Sequence, residues 1–390
     1  MTNKRTGPLA GILVVDLTRV LAGPFATLML NELGARIIKV EQPRTGDDSR
    51  HVGPFVKTPK GRTKSGYFMS VNRGKESIAL DLKAEADRAI FEALLARADV
   101  LVENYRGGTM EKLGYGYESL KEKYPSLVYC GVSGFGHTGP YAKRPAYDMV
   151  VQAMGGVMSL TGHPDSPPTR VGTSMGDLGA GLFATIGVIA ALYERKSTGH
   201  GQKVDISMLD SQVALLENAI SRYVATGEVP GRLGSRHPSI APFAAFATKD
   251  GHIAIAAGND DLFGRVARVL GRDDLITDER FRTNPKRVVN HEPLHEEMES
   301  ALSAKSSKEW LALLDAAGIP SGPLNNVAQV MADPQVLHRN MIIETLDPDL
   351  GAIRMQGNPV KLSAHEDPKT RPAAPELDQH RAAILKELGL

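Results

Sequence analysis

Short apolar runs and helix-spaced stretches alternate over the first 135 residues. Residues 12–15, 36–41 (RIIKVE), 77–82 (SIALDL), 98–103 (ADVLVE) and 126–133 (SLVYCGVS) have strand length and little polar alternation, the pattern of strands covered on both faces. Between them, residues 23–33 and 84–97 carry helical spacing, and Gly34 stands where a helix ends in a left-handed residue. Strands alternating with helices predict right-handed βαβ units, hence an α/β fold with a parallel sheet. Residues 42–66 are polar and aperiodic. A connection that long is expected to be a functional loop or flap.

Farther along, residues 148–162 read as a helix rich in Gly, Ala and Met, and residues 177–195 (DLGAGLFATIGVIAALYER) as a long apolar one. So little of the second is charged that burial at a domain or subunit interface is expected. A strand is predicted at 204–208 and a helix at 209–226. The pattern changes at Gly227, where residues 227–242 (GEVPGRLGSRHPSIAP) are loop-like. Beyond it, a strand at 252–256 and helices at 261–270 and 307–317 predict a smaller α+β domain. The domains are thus expected at 1–226, 227–325 and 326–390, the last returning to the first and closing with a helix at 375–388.

Composition narrows the function classes. The 390 residues carry 46 Lys+Arg against 45 Asp+Glu, a net charge of +1, which leaves no positive excess for nucleic acid or a polybasic membrane contact. A hydrophobic share of 42% with 23% charged residues is that of a folded chain. Cys130 is the only cysteine, so neither an intramolecular disulfide nor a multi-cysteine metal site is expected. The histidines are scattered without a metal-ligand pair, and no metal is expected. No segment reads as a membrane helix of ~20 apolar residues. Lys4 and Arg5 precede an apolar run at 9–13, as in a signal peptide, but Asp16 and Arg19 interrupt it, and a first β-strand is the better reading. A cytoplasmic enzyme is the expectation.

Two glycine motifs invite a cofactor or a nucleophile. Residues 134–139 (GFGHTG) match the dinucleotide fingerprint. Pro140 follows where a helix must open, however, and no strand ends in an acidic residue about 20 positions on. A glycine loop that a ligand approaches is expected instead. Residues 172–176 (GTSMG) match the nucleophile elbow around Ser174, but the prolines of the preceding SPPTRV argue against the strand it requires. Asp177 follows at the start of the long apolar helix. Aspartate is a common helix N-cap. The same place would also suit a carboxylate held ionised by the helix dipole and able to attack an activated acyl group. The residues alone favour the cap. Cys130, inside an apolar strand, is expected to be inert, and His237, in a Pro/Gly-rich loop, to have no catalytic duty.

Over about its entire length the chain resembles the class III CoA-transferases. The segments that carry the resemblance are VVDLTRVLAGP (14–24), GARIIKVE (34–41) with GDDSR (46–50), NRGK (72–75), VENY (102–105), SGFG (133–136), Tyr147-Asp148, Gly176-Asp177, KSTGHGQ (196–202) and HPSIAP (237–242). The resemblance implies a Rossmann-like large domain built from both chain ends, a smaller α+β domain, and an interlocked homodimer in which two chains thread through each other. It implies a coenzyme A thioester as substrate, no tightly bound cofactor, and Asp177 as the residue that takes the acyl group. The family's CoA contacts carry over to Leu21, Ala22, Gln42, Leu80, Lys83, Asn104, Tyr105, Arg106, Lys112 and Tyr147. Gln42 stands where formyl-CoA transferases carry an adenine-stacking arginine. Their tetraglycine loop is absent, which makes oxalate a poorer substrate expectation.

Within the family, LTRVLAGPFAT, VENY, YCGVSGFGHTGP, AGND and PQVLH are most similar to the succinyl-CoA:dicarboxylate type, the succinate–hydroxymethylglutarate/glutarate transferases. A dicarboxylate needs a cation for its distal carboxylate, and Arg50, Arg73, Arg170 and Arg236 are candidates. The expected reaction moves CoA from an acyl-CoA, succinyl-CoA first, to a small carboxylic acid through an aspartyl anhydride and an aspartyl-CoA thioester. The alternative is proton transfer of the α-methylacyl-CoA racemase type, which uses a His–Asp pair. The resemblance puts that histidine at Tyr147, and a phenol (pKa ~10) is a poorer base at neutral pH than an imidazole (~6.5).

Overall fold

The computed structural model describes residues 6–390, so Lys4 and Arg5 lie outside the described residues. The chain forms two compact units. Residues up to 157, 170–221 and 334–390 make the first, and residues 158–169 and 222–333 the second.

Six parallel strands organise the large unit: β1 (Leu13–Asp16), β2 (Arg36–Glu41), β3 (Glu76–Ala79), β4 (Val100–Glu103), β5 (Val128–Ser133) and β6 (Lys203–Ser207). They lie in the order β3-β2-β1-β4-β5-β6, every pair parallel. This is the Rossmann order, whose winding reverses between β1 and β4. Its helices include α1 (Ala22–Glu32), α2 (Glu85–Leu95), α3 (Asp148–Met154), α4 (Met175–Thr198) and α5 (Met208–Ala214).

Successive strand residues point to opposite faces. Val14, Ile37, Val100 and Val128 pack with Ala26 and Leu30 of α1 and Ala180, Ala184 and Val188 of α4. Val15, Ile38, Leu101 and Tyr129 face the other way, into a core with Phe91, Leu94 and Leu95 of α2 and Ile384 near the C-terminus. Helices on both faces leave no strand side for water, which explains the unbroken apolar runs. Buried polar exceptions, among them Asp16, Lys39, Glu41 and Glu103, fall at or near the carboxyl ends of their strands.

Several expectations need correction. Residues 158–169 belong to the second unit rather than the large one, as do residues 222–226 and 326–333. Residues 42–66 are not one loop. They hold a short 3-10 turn, Asp48–His51, and an antiparallel hairpin, Phe55–Lys57 with Thr63–Ser65. The helix expected at 209–226 is two, α5 and Ala219–Thr226, parted where Glu217 takes a φ of 55°. Near the C-terminus the chain adds a three-stranded sheet that the apolar pattern does not predict: Ile342–Asp347 pairs with Gly351–Gln356 and Thr370–Pro372. The last helix is only Arg381–Leu388.

Among the described residues one helix, α4, is long and apolar enough to cross a membrane by length and composition, with a mean hydropathy of 1.7, contrary to the reading that no segment is. Half of its apolar window is buried in the protein. Its small residues, Ala180, Gly181 and Ala184, are buried, and Leu182, Ile186 and Tyr193 are exposed.

The second unit has its own core. Strands Phe243–Ala247, His252–Ala256 and Ser321–Pro323 form an antiparallel sheet. Phe246, Ile253 and Ile255 pack with Phe263, Met298 and Trp310 from its helices. The Trp310 indole N–H donates to Leu302 O at 2.7 Å, which satisfies the polar atom of a buried aromatic.

Candidate active site

The first five strands end side by side at Asp16, Glu41, Ala79, Glu103 and Ser133. Open α/β sheets take ligands outside these carboxyl ends, where the winding reverses. The segments that follow carry Leu21, Ala22, Gln42, Leu80, Asn104 and Tyr105, six of the expected CoA contacts. At the reversal, Asn104 ties two of these loops together. Its Oδ1 accepts the Arg19 N–H at 2.9 Å and its Nδ2 donates to Arg19 O at 2.7 Å. The Arg19 guanidinium lies 5.9 Å from the Tyr105 ring centre. Next to it, Val20 has a φ of 67°, a left-handed conformation that β-branched residues avoid. Asp47 Oδ1 accepts the Val20 N–H at 3.0 Å and helps hold it there.

A buried ion network supports this rim. Lys75 Nζ reaches Asp16 Oδ2 at 3.0 Å and also donates to Thr27 Oγ1, Asn72 Oδ1 and Pro24 O. Lys39 Nζ meets Asp47 Oδ2 at 2.8 Å and donates to Thr18 O at 2.6 Å. Burial alone would raise the Asp16 carboxyl, but Lys75 and Lys39 hold it below its ordinary range. At Lys75 burial wins over the attraction of Asp16, and its pKa falls to about 8. Along the rim, Glu103 accepts the Tyr105 N–H at 2.7 Å and the Tyr129 hydroxyl at 3.1 Å. Burial pushes it up to about 7.

The remaining expected contacts vary in what they can offer. Ala22 and Leu80 are buried, so a ligand would meet their backbone rather than their side chains. Gln42, Lys83, Arg106 and Lys112 are exposed, and Arg106 Nε donates to Lys143 O at 2.8 Å. Tyr147 is 74% exposed and directly precedes α3.

Asp177 is not the N-cap of α4. That position is Ser174, and Asp177 lies within the first turn. The N–H groups of a first turn lack helical partners, and here Asp148, at the start of α3, supplies one: its Oδ1 accepts the Gly176 N–H at 2.8 Å. Its Oδ2 accepts from Gln152 Nε2 at 2.8 Å. The Asp177 carboxylate therefore has no capping duty. Burial, and then the charge of Asp148, push it up to about 7. The Tyr67 phenol, within the field of Asp177, Asp47 and Asp148, is pushed up to about 12, chiefly by burial, and stays protonated at neutral pH.

One glycine of each motif serves close packing. A Cβ on Gly176 would lie 2.6 Å from Val151 Cγ2 and 3.0 Å from Asp148 Oδ1, and one on Gly134 would lie 2.3 Å from Ala146 Cβ. Both glycines let backbones meet where α3 begins. No strand precedes Ser174, so the elbow geometry is missing. Burial raises the Cys130 thiol far above its ordinary range, and His237 Nδ1 accepts the Ser239 N–H at 3.1 Å. Among the described residues no group of three His, Cys, Asp or Glu could hold a metal ion. The parts that sequence reasoning left without a role are Asp148 and Tyr67. Asp148 had a signal, its place in the Tyr147-Asp148 motif; Tyr67 had none, because its nearness to Asp177 is wholly tertiary.

A raised carboxylate, Asp177, thus lies within the field of a second one, Asp148, and the strand that a serine-hydrolase elbow requires is missing before Ser174. The chain belongs to CoA-transferase family III, whose model matches residues 9–381. It is 49% identical over 387 residues to the acetyl-CoA:oxalate CoA-transferase of Acetobacter aceti, covering 99% of this chain and 97% of that one. It is 42% identical to the succinyl-CoA:glutarate CoA-transferase of Mus musculus, covering 98% and 86%. A solved structure, a CAIB/BAIF family protein from Brucella suis, superposes with a TM-score of 0.87 at 42% identity, covering 98% of this chain and all of that one. The first of these relatives is named for oxalate, and the second for glutarate.

Proposed function

We propose that this enzyme moves CoA from succinyl-CoA or a similar acyl-CoA to a small dicarboxylate, with Asp177 as the covalent carrier. An Asp177 carboxylate oxygen attacks the thioester carbonyl and expels CoA thiolate, leaving a mixed anhydride. The thiolate then attacks the Asp177 carbonyl of that anhydride, which releases the donor acid and leaves an aspartyl-CoA thioester. The acceptor carboxylate attacks this thioester, the thiolate departs, and a second anhydride forms. Attack of the thiolate on the acceptor carbonyl gives the new acyl-CoA and restores the Asp177 carboxylate. Each step keeps the thioester's energy only if water is excluded.

The observation that carries this reading is the Asp177 carboxylate, raised to about 7 and relieved of capping by Asp148. Names of relatives that act on oxalate and glutarate support a dicarboxylate acceptor. Lys83, Arg106 and Lys112 are suited to the phosphates of CoA. The exposed Leu182, Ile186 and Tyr193 of α4, with Met149 and Val150 of α3, form apolar surface that a homodimer would cover.

The test is mass spectrometry of CoA esters after mixing the enzyme with succinyl-CoA and glutarate, oxalate, itaconate, malate, acetate or formate. New dicarboxyl-CoA species are expected, none with Asp177→Ala, and hydroxylamine should trap an Asp177 hydroxamate. Exchange that survives Asp177→Ala would overturn the carrier role. Solvent deuterium entering a branched acyl-CoA without any acceptor would favour racemase chemistry instead.

A further inference from the structure

A dicarboxylate needs a cation within its own length of Asp177, and the structure separates the four candidate arginines. Arg73 is buried and engaged: it pairs with Glu32 at 2.9 Å and donates to Ser70 O at 3.1 Å. Arg50 is engaged too. Its Nε and Nη2 grip Glu41 at 2.7 and 2.8 Å, Nη2 also donates to Pro375 O, and the guanidinium stacks 3.7 Å from the Phe68 ring centre. Arg236 belongs to the second unit, where its charge acts on His291.

Arg170 differs in each respect. Its side chain is 42% exposed. Its Nη2 donates to Gly172 O at 3.2 Å and lies 3.8 Å from Asp148 Oδ2. That spacing is too long for a hydrogen bond, and although the Asp148 side chain is only 12% exposed, the guanidinium end of the pair reaches solvent, where it can turn toward a better anion. The rest of its five-donor fork makes no polar contact with another described residue. Asp148 is also the carboxylate that caps Gly176 and raises Asp177. One largely disengaged guanidinium thus lies beside the carboxylate whose charge acts on Asp177. A dicarboxylate brings a second negative charge toward a site that already holds Asp148 and Asp177, and a monocarboxylate does not.

We infer that Arg170 binds the distal carboxylate of the acid whose other carboxylate reacts at Asp177, and so separates dicarboxylates from monocarboxylates. The planar fork suits bidentate capture of a carboxylate. This assignment rests on the dicarboxylate reading above and deepens it.

The test compares glutarate with pentanoate, which has the same number of carbons and lacks the distal carboxylate. The quantity to measure is kcat/KM for the acceptor, which in a double displacement reports only the half-reaction of the CoA-loaded enzyme. Arg170→Gln is expected to lower it for glutarate by about tenfold or more, the loss of a charge-assisted contact, mostly through KM, and to leave pentanoate unchanged. Arg170→Lys should recover part of the loss, and Arg236→Gln should change neither acid. If the wild type prefers glutarate and Arg170→Gln keeps that preference, or slows both acids equally, the assignment to Arg170 is wrong. If the wild-type enzyme itself does not distinguish the two acids, the dicarboxylate reading falls, and this inference with it.

Discussion

Asp148 accepts the Gly176 N–H at 2.8 Å, so its charge lies against the first turn of α4 and adds to the burial that raises Asp177 to about 7. Asp177 must be ionised to attack. For the free enzyme, kcat/KM toward the acyl donor is therefore expected to fall about tenfold per pH unit below about 7. Asp148→Asn removes the like-charge contribution and leaves burial, the larger cause, so the acid limb should move to lower pH without disappearing. A pH–rate profile checks this, and a limb that stays or moves upward would show that Asp148 does not tune Asp177.

The raised pKa also makes Asp177 a stability cost. The native carboxyl holds its proton up to about 7, against an ordinary value of 3.8. Its contribution to folding is thus fully present below about pH 4 and is lost as pH rises to about 7. Three units at 1.36 kcal/mol each set a ceiling of roughly 4 kcal/mol. Asp177→Asn should be more stable than wild type at pH 8, by an amount that shrinks toward pH 4. Urea denaturation at both pH values measures it.

Gly176→Ala would put a methyl 2.6 Å from Val151 Cγ2 and 3.0 Å from Asp148 Oδ1. Overpacking of this kind costs about 1–3 kcal/mol. Activity is expected to fall further than stability, because Asp148 must shift from the turn that carries Asp177. Thermal melts beside turnover of the folded variant separate the two effects.

Asn104→Ala deletes both hydrogen bonds to Arg19 at the winding reversal. Since these hold two loops of the proposed CoA crevice in register, KM for the acyl-CoA is expected to rise about tenfold, consistent with about 1.4 kcal/mol for two partly exposed bonds. The change in kcat should be smaller. An equal loss in both would mean that the clamp serves chemistry rather than binding.

Lys75→Met leaves Asp16 buried without its 3.0 Å partner. Breaking one side of a buried pair costs roughly 3–5 kcal/mol. Asp16→Asn combined with Lys75→Met should recover part of that, since no charge then remains uncompensated at Asp16. Equilibrium unfolding of the single and double variants decides it.

Much of the large unit is legible along the chain. The run RIIKVE is observed as β2, Arg36–Glu41, and the other four runs fall within two or three residues of their strands. They can be read because strands covered on both faces exclude polar side chains, a local property of composition. The hairpin at Phe55–Lys57 and the sheet at Ile342–Asp347 could not be read in this way. Both lie near the surface, where polar residues at exposed positions blur the period, and the latter pairs with a strand more than twenty residues away.

The active site divides along the same line. Asp177 and the glycines around it stand out in the sequence, as do the segments that follow each strand, because a parallel sheet must place those segments at one edge. Only the tertiary structure made Asp148 the partner of Gly176, left Ser174 as the cap, engaged Arg50 and Arg73 with Glu41 and Glu32, and left Arg170 largely disengaged. A residue's chemistry is written in its side chain. Its pKa and its freedom to bind depend on burial and on charges brought near from distant parts of the chain, which exist only once the helices have packed.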